Sequence, residues 1–185
     1  MSPEMALGIG PEIDFRSDIY LLGATLFELI TGVPPHVTTS ASDSLLAASE
    51  NEIMEVEESN ECLDIAYRAM QTEPEDRYPT VLEFQRAIRE YREHAESLAL
   101  NLVAEKHLER ALETRDYAEF TEAQSGFRQA INLWSENSQA GDNLRQARLA
   151  YARHALEEGD LELAASQLHA TDPEEAELLN TIHHE

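Results

Sequence analysis

The segment from Ile19 to Ile30 constrains the fold more than any other part of the chain, because its apolar residues cover most of a helical surface. A helix that is apolar nearly all round belongs at the centre of a domain. Ser17 is the candidate N-cap of this helix, and Gly32 ends it. A glycine and polar residues interrupt the apolar run, which therefore falls short of the ~18–20 apolar residues that a membrane span needs. We expect a buried central helix.

Three further helices are predicted in the first half of the chain. A short helix covers about Leu45–Met54 and is followed by a loop. The next covers about Glu61–Met70, where apolar residues recur at helical spacing. The segment Thr80–Glu83 has the pattern of a capping box, which places the start of the third helix there.

Beyond about residue 92 the chain is rich in Ala, Leu and Glu, without a strand signal and without proline until Pro173. The periodicity predicts either one long helix over 81–114 or two helices with a break around 93–97. Further helices are predicted over 117–134, 139–158 and 160–170. Asp172 is the candidate cap of a last helix, which has proline at its first position and an acidic residue at its third.

The second half also contains a weak internal similarity. Residues 111–117 align with residues 155–161, and each copy is followed by a small residue and then a large apolar one. These residues are Ala123 with Phe127 and Ala130 in the first copy, and Ala164 with Leu168 in the second. The pattern resembles the helical unit of tetratricopeptide repeats, although the offset exceeds their ~34 residues and two units are fewer than the three that stabilise an array. A generic helical hairpin extension remains the alternative.

The charge of the chain limits its partners. It has 37 acidic and 13 basic residues, with a net charge of −24. Such a surface repels nucleic-acid phosphates and anionic lipids, so we expect neither a nucleic-acid nor a membrane partner. We expect instead a protein partner that offers a basic or apolar segment, although the charge also serves solubility by itself. Cys62 is the only cysteine, and no signal peptide is visible, so a reducing cytoplasm is the expected location.

Four elements of the first half have the order and spacing of motifs in a known family. They are Ser2-Pro3-Glu4, Ser17–Gly23, Gly32–His36 and Ala69–Tyr78. In that order they resemble the A-P-E motif, the start of the central buried helix, the G-x-x-P-F turn and the [AC]-[LM]-x-x-x-P-x-x-R element of eukaryotic-type (Hanks-type) Ser/Thr protein kinases. Ser2 stands where the family has alanine, and Leu21 stands where it has a small polar residue.

The resemblance covers roughly residues 1–92. It implies an all-α architecture, in which residues 1–92 form the lower half of a protein kinase C-lobe without a β-sheet. From the internal similarity of the second half, we expect residues 95–185 to form tetratricopeptide-like (TPR-like) helical hairpins, packed as a short solenoid.

The resemblance implies structural rather than catalytic roles for four residues. Glu4 should form a buried, bidentate ion pair with Arg77 and so join the start of the region to its last turn. Asp18 matches an aspartate that accepts hydrogen bonds from the catalytic loop in intact kinases. Since this sequence lacks that loop, we expect Asp18 to cap its own helix. Gly23 belongs to the same helix motif.

The groups that kinases use for chemistry are absent from the sequence. It has no Gly-rich phosphate loop followed by a lysine, no H-R-D-x-x-x-x-N element and no D-F-G element. Asp14-Phe15-Arg16 resembles D-F-G but follows Ser2-Pro3-Glu4 instead of preceding it. We therefore expect no catalytic residue, no cofactor-binding residue and no metal ligand in this chain. ATP and Mg²⁺ would belong to the upstream part of a complete kinase.

These observations leave three functional hypotheses. The first is a truncated, catalytically incompetent kinase-like protein whose helical repeat region serves protein–protein interaction. The second is the C-terminal part of an active, ATP-dependent Ser/Thr kinase whose N-terminal part lies outside this chain. The third is an all-helical adaptor whose function resides wholly in residues 95–185.

Overall fold

The computed structural model describes residues 1–10, 13–56 and 60–184. Over these residues the regular structure is entirely helical, which confirms the all-α prediction. The helices are α1 (Pro3–Leu7), α2 (Phe15–Thr31), α3 (Ala41–Ser49), α4 (Glu61–Ala69), α5 (Val81–Thr114), α6 (Tyr117–Leu133), α7 (Ser138–Glu157), α8 (Leu161–Ser166) and α9 (Pro173–His184), and a 3-10 turn covers Pro74–Asp76. In these parts of the chain, none of the helices combines the length and the apolar character that crossing a membrane requires.

The chain divides into two compact units, a first unit of Met1–Arg92 and a second unit of Glu93–Glu185. The division falls inside α5, which is continuous from Val81 to Thr114. Of the two alternatives for this stretch, the unbroken helix is therefore confirmed.

The core of the first unit forms around one face of α2. Ile19, Tyr20 and Phe27 on this face are fully buried. They pack against apolar residues of α4 and against Tyr78 and Phe84, which lie just before and just inside α5. The central position predicted for α2 therefore holds for this face.

The prediction that α2 is buried nearly all round is wrong for the described residues. Leu22 is 40% exposed and Leu29 is 79% exposed. The reason is that α4 and its neighbours cover only the face that carries Ile19, Tyr20 and Phe27. The described part of the first unit thus presents apolar side chains of its central helix to solvent.

The start of α2 also differs from the prediction. Asp14, and not Ser17, is the N-cap, and its Oδ1 accepts a hydrogen bond from the Arg16 backbone N–H at 2.7 Å. Ser17 lies inside the helix, where its hydroxyl donates to Glu4. The end of α2 at Gly32 agrees with the prediction, because this residue has the left-handed φ of 75° that glycine adopts without strain.

The bounds predicted for α3 are wrong by about five residues. The helix begins after Ser40, whose side-chain oxygen accepts from the Asp43 backbone N–H at 3.1 Å. It stops before Asn51, whose positive φ of 53° is incompatible with a continuing helix. The helix predicted at Glu61 is confirmed, with Asn60 as its cap.

The second unit contains the remainder of α5 together with α6–α9. Ala104 of α5, Ala123 and Phe127 of α6, and Leu144 and Ala147 of α7 form one buried cluster. A second cluster joins α7, α8 and α9. The bounds of α6 and α7 lie within one residue of those predicted, whereas α8 ends four residues early. The Asp172 carboxylate caps α9, as predicted, by accepting from the backbone N–H groups of its first turn.

Candidate functional site

The structure brings Glu4 and Arg77 together in the core of the first unit. Glu4 lies on α1, and Arg77 follows the 3-10 turn. Arg77 Nη1 donates to Glu4 Oε1 and Arg77 Nη2 donates to Glu4 Oε2, both at 2.9 Å. Both side chains are almost completely buried. This is the two-pronged geometry in which a guanidinium and a carboxylate interact most strongly.

Every N–H of the Arg77 guanidinium has an acceptor. Besides the two bonds to Glu4, it donates to the backbone oxygens of Arg16, Gln71 and Thr72 at 2.8–3.0 Å. Its charge also lies over the Tyr20 ring, with the guanidinium carbon 5.0 Å from the ring centroid. No donor is left for a substrate or phosphate, so the arrangement is structural.

The surroundings of Glu4 keep its carboxylate ionised. Burial by itself would raise the pKa of Glu4, but hydrogen bonds from Arg77 and Ser17 outweigh this effect and lower the pKa to about 2. The Ser17 hydroxyl donates to Glu4 Oε1 at 2.6 Å. The ion pair therefore remains intact over the whole neutral and weakly acidic range.

Ser2 is fully buried beside this ion pair, without a hydrogen bond for its side chain among the described residues. It lies near enough to Glu4 to help lower that pKa, but without hydrogen-bond geometry. The alanine that the kinase motif has at this position would avoid the desolvation of a hydroxyl group.

Asp18 and Gly23 occupy different environments on α2. Asp18 is exposed in the first turn of the helix, and the capping role belongs to Asp14 instead. At Gly23 the helix approaches α4 so closely that an added Cβ would lie 2.6 Å from Ala69 Cβ and 3.1 Å from the Ala66 backbone oxygen. A residue without a side chain is therefore required where α2 crosses α4.

A hydrogen-bond network that the sequence did not indicate surrounds the Tyr20 hydroxyl. This hydroxyl contacts His36 Nε2 at 2.8 Å and donates to Asn51 Oδ1 at 2.7 Å. Asn51 donates in turn to the Met70 backbone oxygen and to Thr72 Oγ1. The network ties α2, the turn after it and the segment after α3 to the end of α4. Its only sequence signal is Asn51, a residue type that tolerates positive φ.

An apolar groove of about 650 Å³ lies between α2 and α3. Leu21, Ala24 and Glu28 of α2 form one wall, Leu45 and Ala48 of α3 form the other, and the Pro34–His36 turn and Met1 also line it. His36 is held in place by the Tyr20 network and by the Glu52 backbone oxygen, 2.7 Å from His36 Nδ1. We call this feature the α2–α3 groove.

The second unit repeats one turn geometry at the positions that the internal alignment pairs. Arg115 and Gly159 both have positive φ, of 58° and 82°. The residue after each is an aspartate, Asp116 or Asp160, whose side chain caps the next helix. The small residues and large apolar residues that the alignment singled out are all buried. The two copies therefore share local structure, with an offset of 44 residues between the paired turns.

A second buried carboxylate lies in the second unit. Glu175 is fully buried, and its Oε1 accepts from Arg148 Nε at 2.9 Å and from Arg148 Nη2 at 2.7 Å. Its Oε2 accepts from the His169 backbone N–H at 2.6 Å. The sequence identified Glu175 only as an acidic residue near the start of a helix, because its partner lies 27 positions away.

Among the side chains that the structure describes in residues 1–10, 13–56 and 60–182, no group of three or more His, Cys, Asp or Glu is placed to hold a metal ion.

Comparisons with known proteins connect the chain with bacterial protein kinases. It is 37% identical over 93 residues to a tyrosine-protein kinase MasK of Myxococcus xanthus, an alignment that covers 48% of this chain and 14% of the relative. It is 33% identical over 95 residues to the serine/threonine-protein kinase PknB of Mycobacterium leprae, with 46% and 14% covered. A probable serine/threonine-protein kinase PknB of Bifidobacterium longum is 30% identical over 132 residues, with 62% and 18% covered.

The chain thus contains a kinase-related region, and it spans 14–18% of the length of these relatives. No family model matches the chain, and no solved structure gives a significant match.

Proposed function

We propose that this chain is a kinase-like protein that binds a protein partner and does not itself transfer phosphate. The α2–α3 groove is the observation that carries the proposal. It offers an apolar surface between two helices, with leucines of both walls partly exposed. A surface of this kind is typical of a protein–protein contact.

The kinase-related residues of the first unit support a non-catalytic role. Glu4 and Arg77 are saturated with hydrogen bonds to each other and to the backbone. Phosphoryl transfer depends on groups that grip the nucleotide, bind Mg²⁺ and orient the substrate hydroxyl. The sequence contains none of the motifs that supply them.

The second unit is proposed as a TPR-like interaction module. The repeated turn at Arg115 and Gly159 and the buried small residues of α6 and α8 support this assignment. If the second unit were instead a generic helical extension, its two turns would not need to share their geometry. The proposal covers both units. It places the protein in the cytoplasm and expects a protein partner, not nucleic acid or a membrane.

A second candidate function is that of the C-terminal part of an ATP-dependent Ser/Thr protein kinase. Two observations favour it: the relatives are several times longer than this chain, and α2 exposes leucines such as Leu22 and Leu29 that a further segment could cover. In that case ATP and Mg²⁺ would bind residues outside this chain.

A phosphotransfer assay tests the first proposal. Purified chain is incubated with radiolabelled ATP, Mg²⁺ and myelin basic protein, beside the kinase domain of the Mycobacterium leprae relative as a positive control. We expect no label above a blank without protein. Label transfer that co-purifies with the chain through two columns would overturn the proposal.

The intact mass of the protein in its source cells separates the two candidates. An antibody against residues 95–185 would capture a species near 20.8 kDa under the first proposal. A much heavier species would establish the second.

A further inference from the structure

The segment that forms most of the α2–α3 groove carries acidic side chains but no Lys or Arg. Residues 17–67, which contribute almost the whole groove, include ten Asp or Glu and no Lys or Arg. Glu28 lines the groove itself, Asp43 lies in the first turn of α3, and Glu50 lies at its end. All three are exposed. Since charges of one sign reinforce each other, the field around the groove is strongly negative.

No ion pair in the described parts of the chain uses Glu28, Asp43 or Glu50. The second unit behaves differently, since Glu119, Glu157, Glu174 and Glu175 all contact arginine side chains there. The groove therefore combines an apolar floor with the carboxylate of Glu28, which is available to a partner, in a segment of negative charge.

The shape of the groove favours a peptide segment over an enclosed small molecule. Met1, Leu21 and Leu45 line it and are 55%, 37% and 47% exposed, so it opens to solvent along both walls. A small apolar ligand would leave much of this surface wet. An amphipathic helix covers such a groove with apolar side chains one turn apart and keeps its polar face in water.

We propose that the α2–α3 groove binds a basic amphipathic helix of a partner protein. Leucine-like side chains of the helix fill the space between Leu21, Ala24 and Leu45. A Lys or Arg residue beside that stripe lies against Glu28, and the field of the other acidic residues favours a basic helix over an acidic one. The inference rests on the proposed protein-binding function and adds to it the location and chemistry of the contact.

Synthetic peptides test this proposal with the full chain. The probe is a fluorescein-labelled 18-residue peptide of Leu, Lys and Ala with leucines at helical spacing, and its binding is measured by fluorescence anisotropy. The control peptides are a scrambled sequence of the same composition and a version in which Glu replaces Lys. We expect saturable binding of the first peptide, at least about tenfold weaker binding of the scrambled one and none of the acidic one.

Variants locate the binding site. Leu45→Arg places a positive charge in the groove and should weaken binding at least about tenfold, because a buried leucine contact is lost and a like charge is added. Leu82→Arg is the matched control, since Leu82 is a 71% exposed leucine of the same unit that does not line the groove. It should change affinity less than about twofold. Glu28→Gln should reduce the salt dependence of binding. Circular dichroism melts of each variant verify folding.

Three outcomes would overturn the inference. They are equal binding of the scrambled basic peptide, equal effects of the Leu45 and Leu82 variants, and the absence of saturable binding up to 1 mM. The same preparation is assayed for phosphotransfer. Transfer activity would count against the proposed function, whereas missing peptide binding without transfer would count against the groove assignment alone.

Discussion

The two units of this chain hold their buried carboxylates in contrasting ways. In the first unit, Glu4 and Arg77 are 73 positions apart, and the ion pair joins the first helix to the turn before α5. In the second unit, Arg148 and Glu175 are only 27 positions apart, on helices that belong to one local cluster. The buried ion pair of the first unit thus spans most of that unit, whereas that of the second connects nearby parts of the chain.

This difference predicts how far the effect of a substitution extends within each unit. A structure made of locally packed helical elements responds to a lesion mainly in the affected element and its neighbours. Loss of the Glu4–Arg77 ion pair removes a buried contact between the two ends of the first unit, where packing such as that of Ile19 against Tyr78 and Phe84 remains. We therefore expect substitutions of equal chemistry to have larger effects in the first unit.

The largest effect is expected for Arg77→Ala. It leaves the Glu4 carboxylate buried without its cation, which costs roughly 3–5 kcal/mol of unfolding free energy. Arg148→Ala should cost less, because Arg148 is partly exposed and Glu175 keeps its bond from the His169 backbone. Urea denaturation followed by circular dichroism measures both.

The reference for these two variants is Arg86→Ala. Arg86 forms an exposed pair with Glu90 and should contribute little to the free energy of unfolding. An Arg77 variant as stable as the Arg86 variant would show that the Glu4–Arg77 ion pair does not stabilise the first unit.

Acid should weaken the first unit through the same residue. The pKa of Glu4 is lowered from 4.5 to about 2 in the folded state. Its contribution is therefore complete above about pH 4.5 and is lost as the pH falls through about 2. A shift of this size corresponds to about 3 kcal/mol.

The comparison of the chain with its Glu4→Gln variant isolates this effect from the other carboxylates. The difference in their unfolding free energies should shrink steadily between pH 5 and pH 2. A difference that does not change with pH would show that Glu4 titrates normally.

Glycine-to-alanine changes compare helix contacts in the two units. Gly23→Ala should cost about 1–3 kcal/mol, since the new methyl group would meet Ala69, Ala66 and Met70 at 2.6–3.1 Å. Gly126→Ala should cost less, since its new methyl group has one close neighbour, Ala104 Cβ at 2.8 Å, and the next atoms are 3.5 Å or more away. Gly141→Ala in α7 has open space and should stabilise by about 0.5–1 kcal/mol through helix propensity. The melting temperature should be lowest for Gly23→Ala, intermediate for Gly126→Ala and highest for Gly141→Ala. Any other order would contradict this ranking.

The smallest effect concerns the repeated turn of the second unit. Arg115 adopts a left-handed φ of 58° that glycine adopts without strain, as Gly159 does at the paired position. Arg115→Gly should therefore stabilise the unit by roughly 0.5–1 kcal/mol, while the exposed pair with Glu157 contributes little. Gly159→Ala should destabilise by a similar amount. Thermal melts measure both, and changes of the same sign would contradict the equivalence of the two turns.

Local sequence patterns predicted most of the helices, because capping residues and apolar periodicity act over a few positions. They failed at α3, where the apolar stretch from Leu45 onward outweighed the cap at Ser40. They also failed on the outer face of α2, since exposure depends on which elements cover a helix and not on its own residues.

The candidate site was less accessible to sequence reasoning. The Glu4–Arg77 contact was predicted from the resemblance to kinases, and no local rule connects residues 73 positions apart. The network of Tyr20, His36 and Asn51 and the groove beside it depend on tertiary packing. Neither has a periodicity or a spacing that a single sequence reveals.

The absence of Lys and Arg from residues 17–67 also decides which chemical probes can detect the groove. Trypsin cleaves after Lys and Arg, so it releases this whole stretch as one peptide that ends at Arg68. Amine-reactive cross-linkers find no lysine side chain among these residues. Carbodiimide chemistry, which couples a carboxylate directly to a lysine of the partner, would instead record the contact at Glu28.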